Sequence, residues 1–249
     1  VMTGDHLIVS KLGYGPRIPI TPLQIPLSHK EIFGKKSFSD KIKLPYKRIF
    51  SLEKIKRGDI IVFNCPYEIE YPVDIREFFL KRCVGIAGDI VEIKESDLYI
   101  NGILSDDIDV QKRFLIKSDK FLNNSFFKKN QITEYIRVKN GYIANIKNSI
   151  KNNLEKKIEL EILKVPKDFV EEKIIFNKTG VFNWNSDNLG PITVPYKGFT
   201  ISITKENLAI YEFSIKNHEN LKNVKVENNN LYINEKIVYS YTFTQNYYF

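Results

Sequence analysis

The sequence predicts a mainly β protein: an antiparallel β body with a small inserted α+β domain. Short apolar stretches alternate with polar residues and stop at Gly, Asn or Pro, the pattern of half-buried strands joined by turns. One hairpin occurs twice, as Ile90–Lys94, a polar turn and Leu98-Tyr99-Ile100-Asn101-Gly102, and again as Val224–Glu227, three asparagines and Leu231-Tyr232-Ile233-Asn234. Between the copies the periodicity passes from strand to helix and back, in the order β-α-β-β-α-β. Two copies so far apart cannot stack as a solenoid, so the repeat argues for an antiparallel sheet only.

In chain order, His6 to Ser10 is predicted as a short strand with Leu7 and Val9 on one face. Lys11 to Leu27 carries Gly13, Gly15, Pro16, Pro19, Pro22 and Pro26, which exclude helix and central strand and leave an extended surface segment. The turn Arg57-Gly58-Asp59 feeds the apolar strand Ile60-Ile61-Val62-Phe63. Arg57-Gly58-Asp59 also spells a cell-adhesion tripeptide, but a strand starts at once and the turn has an internal use. In the insertion, Arg113 to Lys117 reads as a strand and Leu122 to Gln131 as a short helix capped by Asn123 or Asn124. Thr133 to Val138 and Tyr142 to Ile146 flank Asn140-Gly141, a strong hairpin signal. Ile150, Leu154 and Ile158 recur at helix spacing, and Glu159 to Val165 alternates again before Pro166. That order is a ferredoxin-like unit. Asn183 to Pro191 reads as a structural loop, and Ser186 and Asp187 within it are given no catalytic role. Lys205 to Ile215 is a helix with Thr204 as cap and Leu208, Tyr211 and Ile215 on one side. The expected domains are 1–110, the first part of the β body, 111–170, the insertion, and 171–249, the second part.

The chain has 249 residues and a net charge of +8, enough length to bury a sizeable core and a charge that suits an anionic partner. The lysines are scattered, with no zinc spacing or recognition helix, so no nucleic acid is expected as partner. His6, His29 and His218 lie far apart, so neither a metal nor another cofactor is predicted. Cys65 and Cys83 would pair only if their strands were neighbours. No stretch reaches the roughly 18 apolar residues of a membrane-spanning helix.

The chemistry centres on Phe78-Phe79-Leu80-Lys81-Arg82-Cys83-Val84-Gly85-Ile86-Ala87-Gly88-Asp89, a strand ending in a glycine turn. Alternation puts Lys81 on one face with Phe79 and Cys83, and Arg82 on the other. Burial in such a face favours the neutral amine, which is a general base. A lysine that snorkels to water is the alternative, and the strand alone leaves it open.

Gly4-Asp5 before a strand, Arg57-Gly58-Asp59 before another, and Lys81-Arg82-x-Val84-Gly85-x-x-Gly88-Asp89 resemble, in that order, the bacterial type I signal peptidases, membrane-anchored serine proteases with a Ser/Lys dyad. Tyr14-Gly15-Pro16-Arg17 and the Trp184–Pro191 segment resemble the Bacteroidetes type. The resemblance implies that Lys81 is the general base, with Phe79 and Leu80 flanking it as substrate-binding residues. It implies signal peptides of exported preproteins as substrates, with small residues near the cut. It also implies an anchor in the cytoplasmic membrane before residue 1 and a catalytic body on the outer face. The nucleophile is expected in a Ser-Met-x-Pro-Thr block ahead of Val1, and a Gly-Asp-Asn-Arg block beyond Phe249, so the 249 residues are expected to be an inactive fragment. A noncatalytic basic β-rich module, binding a membrane surface or nucleic acid, is the competing class.

Overall fold

The computed structural model describes residues 6–25, 28, 30–39, 41–105, 111–158, 160–165, 180–185 and 187–249. They fall into two compact units, one of residues 6–86 with 247–249 and one of residues 87–246.

In the first unit the breaker-rich stretch runs extended, as its prolines demand, tied by isolated bridges of Arg17 to Arg48 and Gln24 to Phe38. Gly15 has φ +82°, and a Cβ there would lie 1.6 Å from the Phe50 carbonyl oxygen, so only glycine fits this crossing. Thr21, buried, donates from its backbone N–H (2.7 Å) and its hydroxyl (3.1 Å) to the Asp74 carboxylate. A small hairpin joins Glu31–Ile32 to Lys35–Lys36. The main ladder pairs Ile60–Asn64 antiparallel with Phe78–Arg82. Residues 6–10 do not form the expected strand. A strand needs a partner for its backbone groups, none of the described residues pairs with these, and Leu7, Ile8 and Val9 are exposed.

The second unit holds both hairpins of the repeat, and their turns share one geometry. Ile90–Lys94 and Asp97–Ile100 meet at Glu95-Ser96, with φ of +49° and +67°. Val224–Glu227 and Asn230–Ile233 meet at Asn228-Asn229, with φ of +48° and +60°. Two consecutive left-handed residues make the turn that matches the strand twist. Each copy continues into another short strand, Ile103–Leu104 and Lys236–Val238. Leu189–Thr193 pairs on the other side of Ile90–Lys94, and Thr200–Ser202 pairs with Ser240–Thr242. The helix expected from Lys205 runs to His218, capped by Thr204, whose hydroxyl accepts from the Asn207 N–H, and it buries Leu208, Tyr211 and Ile215.

Residues 111–164 have the predicted element order. Gln111–Lys117, α1 (Asn124–Lys129), Tyr135–Val138, Gly141–Lys147, α2 (Asn148–Ile158) and Ile162–Lys164 follow one another. Asn123, rather than Asn124, caps α1, its side chain accepting from the Phe126 N–H. The sheet is antiparallel, with Ile162–Lys164 beside Gln111–Lys117, then Gly141–Lys147, then Tyr135–Val138. In order of occurrence that is 4-1-3-2, the arrangement of a split β-α-β pair. Phe114, Ile116, Phe127, Tyr142, Ile146, Leu154 and Ile162 form a core that, among the described residues, is made of this region alone. Tyr135 stacks on Phe127 at 3.6 Å between centroids.

One ion cluster links the strands Gln111–Lys117 and Ile162–Lys164 to the first hairpin. Asp97 accepts from Lys112 at 2.6 Å and from Lys164 at 3.2 Å. Burial would push the Asp97 carboxyl up, but the hydrogen bonds from Lys112 and Lys164 outweigh it and hold the acid below the ordinary carboxylate range. The folded state therefore favours ionised Asp97. That contribution is present above the unfolded value near pH 4 and is lost as pH falls through the lower folded value. Asp97→Asn should cost about 1 kcal/mol near neutrality, a figure kept small by water reaching the carboxylate. Urea midpoints of variant and parent should converge below about pH 3. A constant difference down to pH 2 would refute the assignment.

Candidate active-site strand

The Lys81 strand is placed by its partner. Lys81 lies opposite Ile61, Phe79 opposite Phe63 and Leu80 opposite Val62. Phe63 and Phe79 meet edge to face, 6.1 Å between centroids. Past Arg82 the ladder closes with the Cys83 N–H donating to the Asp59 carbonyl at 2.8 Å and the Gly58 N–H donating to the Cys83 carbonyl at 2.7 Å. Arg82 turns back, its guanidinium donating to the Gly58 carbonyl at 2.7 Å. Beyond it, the Val84 N–H donates to the Phe249 carbonyl at 2.7 Å, and the Phe249 N–H donates to the Gly85 carbonyl at 2.8 Å. Residues 247–249 thus run beside the chain just past Lys81.

Alternation holds, but burial does not follow it. Cys83 is buried and Phe79 half-buried, whereas Lys81 on the same face is exposed. The expectation of a desolvated lysine is corrected here. Periodicity says which residues share a face, and only the neighbouring layer decides which rungs of that face are covered. Leu80 is half-buried on the opposite face from Lys81, so Phe79 alone of the two flanking residues shares the lysine's side.

The Arg57-Gly58-Asp59 turn has the internal use expected of it. The Tyr14 hydroxyl donates to Asp59 Oδ2 at 2.8 Å, and the Lys56 N–H donates to the same oxygen at 2.8 Å. These bonds hold the Asp59 carboxyl below its ordinary range. Conversely, the bond to an ionised carboxylate, with burial adding to it, pushes the Tyr14 phenol up to about 12. Asp59 stands opposite Cys83, and so on the face of Ile61 and Lys81. Sequence reading missed Tyr14 as the anchor of this turn, because nothing local links positions 45 residues apart.

Cys65 and Cys83 are both buried and not in a disulfide, and the Cys83 thiol donates to the Gly85 carbonyl at 3.4 Å. Their strands are neighbours, yet Cys65 bonds across to Glu77 and Cys83 to Asp59, at opposite ends of the hairpin. At about 3.4 Å per residue that separation is far beyond disulfide reach. Among the described residues, no three His, Cys, Asp or Glu side chains gather as metal ligands would. Ser186 lies outside the described residues. Asp187 accepts from the Ser96 hydroxyl at 2.6 Å, and Asn185 Oδ1 accepts from the Asp187 and Asn188 N–H groups, the local bonds of a turn. Among the described residues no helix is long and apolar enough to cross a membrane.

A family model described as signal peptidase, peptidase S26, matches residues 1–168 and so takes in the whole Lys81 ladder. The chain belongs to this family. Signal peptidase I of Pseudomonas aeruginosa is 30% identical over 103 residues, 41% of this chain and 25% of that protein. Signal peptidase I of Pseudomonas fluorescens is 28% identical over 100 residues, 40% of this chain and 25% of that protein. Signal peptidase I of Buchnera aphidicola is 25% identical over 177 residues, 62% of this chain and 47% of that protein. The chain thus spans a quarter to about half the length of these curated relatives. No solved structure matches it.

Proposed function

We propose that the protein is a serine endopeptidase of the signal peptidase I type, in which Lys81 is the general base of a Ser/Lys dyad. The observation that carries this reading is the family match over residues 1–168, within which the Lys81 strand pairs with the strand after the Arg57-Gly58-Asp59 turn. The resemblance puts the nucleophile in a Ser-Met-x-Pro-Thr block. The neutral Lys81 amine takes the serine proton as Oγ attacks the scissile carbonyl, and the proton passes to the leaving amine. Water then hydrolyses the ester, with Lys81 again the base. Because Lys81 is exposed, it needs a cover to favour its neutral form. An extended signal peptide laid along this face, against Phe79, is that cover. Substrates are signal peptides with small residues before the cut, processed at the outer face of the cytoplasmic membrane. The test is cleavage of a fluorogenic Ala-x-Ala peptide by the protein made from its whole gene. Activity lost in Lys81→Met and Lys81→Arg supports the reading, and activity retained in either overturns it.

We infer in addition that residues 111–170 are a separable domain. Its support is a core drawn only from that region. Deleting 111–170 together with Asp97→Asn, which avoids stranding the carboxylate, should leave the remainder soluble with a β circular-dichroism spectrum. Loss of cooperative unfolding in that variant would make the region part of the main core.

A further inference from the structure

The ladder face that carries Lys81 also carries a carboxylate. Gly58, with φ +89°, and Asp59 together oppose Cys83, a bulge in which the Gly58 N–H donates to the Cys83 carbonyl and the Cys83 N–H to the Asp59 carbonyl. Asp59 therefore stands diagonal to Lys81 across the strand pair, at about 7–8 Å, a span that a lysine side chain covers. Yet the Lys81 side chain makes no hydrogen bond or ion pair with any other described residue. The Asp59 carboxylate is engaged elsewhere. Its Oδ2 accepts from the Tyr14 hydroxyl and from the Lys56 N–H, each at 2.8 Å. Tyr14 is itself fixed: the Arg48 guanidinium donates to the Tyr14 carbonyl at 3.0 Å and to the Gly15 carbonyl at 2.7 Å. All of these residues lie in the first unit. Of the other titratable groups at this corner, Glu53 and Cys83 act on Tyr14 and Lys56 acts on Asp59. Arg82, on the opposite face, spends its guanidinium on the Gly58 carbonyl.

We propose that Tyr14 is a positioning residue for the peptidase reaction, restraining the Asp59 carboxylate so that it does not pair with the Lys81 amine. This rests on the reading of Lys81 as general base. A base has to be neutral and within reach of the serine hydroxyl to take its proton. A carboxylate closing on Lys81 would favour the charged amine and hold it away from that hydroxyl. The Tyr14 hydroxyl and the Lys56 N–H both grip one oxygen of Asp59, so the Tyr14 bond is half of the restraint that side-chain substitution can remove.

The test uses the protein made from its whole gene, with its lysine ε-carbons labelled with carbon-13 and the Lys81 signal identified by its loss in Lys81→Met. In Tyr14→Phe the Lys81 titration midpoint should rise by about half a pH unit, the size expected of an exposed ion pair. The acidic limb of kcat/KM against pH, which reports the free enzyme's base, should move up with it. Cleavage near pH 7 then falls about threefold and recovers on the alkaline side, whereas a merely structural loss would lower the whole profile. Adding Asp59→Asn to Tyr14→Phe should return both midpoints to those of the parent, because the amide carries no charge. A Lys81 midpoint unmoved in Tyr14→Phe, a rise that persists with Asp59→Asn, or a fall in activity equal at every pH would overturn the assignment. Should Tyr14→Phe fail to fold, Asp59→Glu takes its place. Its longer carboxylate loses register with both donors, and the same rise is expected and the same results overturn it. Failure of the peptidase reading is distinct: Lys81→Met would then cleave like the parent, while the Lys81 titration would still show whether Tyr14 restrains Asp59.

Discussion

Lys81→Met should lower signal-peptide cleavage by the protein made from its whole gene on the order of 10³-fold or more, with little change in stability. A positioned general base contributes about 10² to 10⁴, and a dyad member acts as part of a unit, so removing it forfeits most of the shared effect. The loss should fall on kcat, because the amine acts on the reacting hydroxyl while substrate is held along the strand by other groups. Lys81→Arg should be equally inactive, since a guanidinium keeps its proton. Stability should move by no more than about 0.5 kcal/mol, the usual effect of a surface substitution, because Lys81 is exposed. A buried lysine would instead make the methionine variant more stable. The two outcomes separate on urea midpoints at neutral pH. If Lys81→Met keeps more than about a tenth of the parent's kcat, the base is another group. Phe79→Ala should raise KM more than it lowers kcat, as expected of a side chain that the substrate packs against beside the amine.

What was legible in the chain follows the range of the forces involved. The duplicated hairpins were visible because alternation and turn residues are local, and even Glu95-Ser96 adopts the left-handed pair that the asparagines take in the second copy. The β-α-β-β-α-β order of residues 111–164 was legible for the same reason: α1 has its cap, and Asn140-Gly141 turns the chain between two strands. That turn makes Tyr135–Val138 and Gly141–Lys147 neighbours, whereas Gln111–Lys117 pairs with strands far along the chain. The strand over 6–10 failed because alternation gives a strand its faces but cannot supply its partner. At the site, the sharing of one face by Phe79, Lys81 and Cys83 was legible, and the exposure of Lys81 was not. The Tyr14–Asp59 bond joins segments tens of residues apart, and no local pattern announces it.

The largest expected loss of stability is at a residue with no role in the chemistry. Glu219→Ala should destabilise the fold by about 2–3 kcal/mol. Glu219 ends the helix Lys205–His218, where the helix dipole disfavours a negative charge, so its presence needs a tertiary reason. That reason is its side chain. Oε2 accepts from the Tyr241 hydroxyl, the Thr244 N–H and the Thr244 hydroxyl, each at 2.8 Å, and the residue is buried. Three donors on one charged oxygen tie the helix end to the strand Ser240–Thr242 and the residues after it. Alanine leaves the hydroxyl of buried Tyr241 without its acceptor, at about 1–3 kcal/mol, while the two donors of exposed Thr244 turn to water, and part of the cost is offset because the carboxylate no longer has to be desolvated. Glu219→Gln keeps an acceptor and should cost less than half as much. The urea midpoint should fall with the m-value unchanged, and the melting temperature by roughly 10 °C. The same contact sets a pH signature. Burial and the adjoining Glu219 carboxylate push the Tyr241 phenol well above its ordinary range. A raised folded value means that its stabilising effect is whole below the unfolded value near pH 10 and is lost as pH rises through the folded one. Tyr241→Phe should therefore flatten the alkaline fall in stability above pH 10 while lowering stability at pH 7. Tyr211, pushed up to about 12 mainly by its own burial, keeps part of that fall in the variant. If Glu219→Ala shifts the urea midpoint by less than the equivalent of 1 kcal/mol, the carboxylate does not hold this corner together.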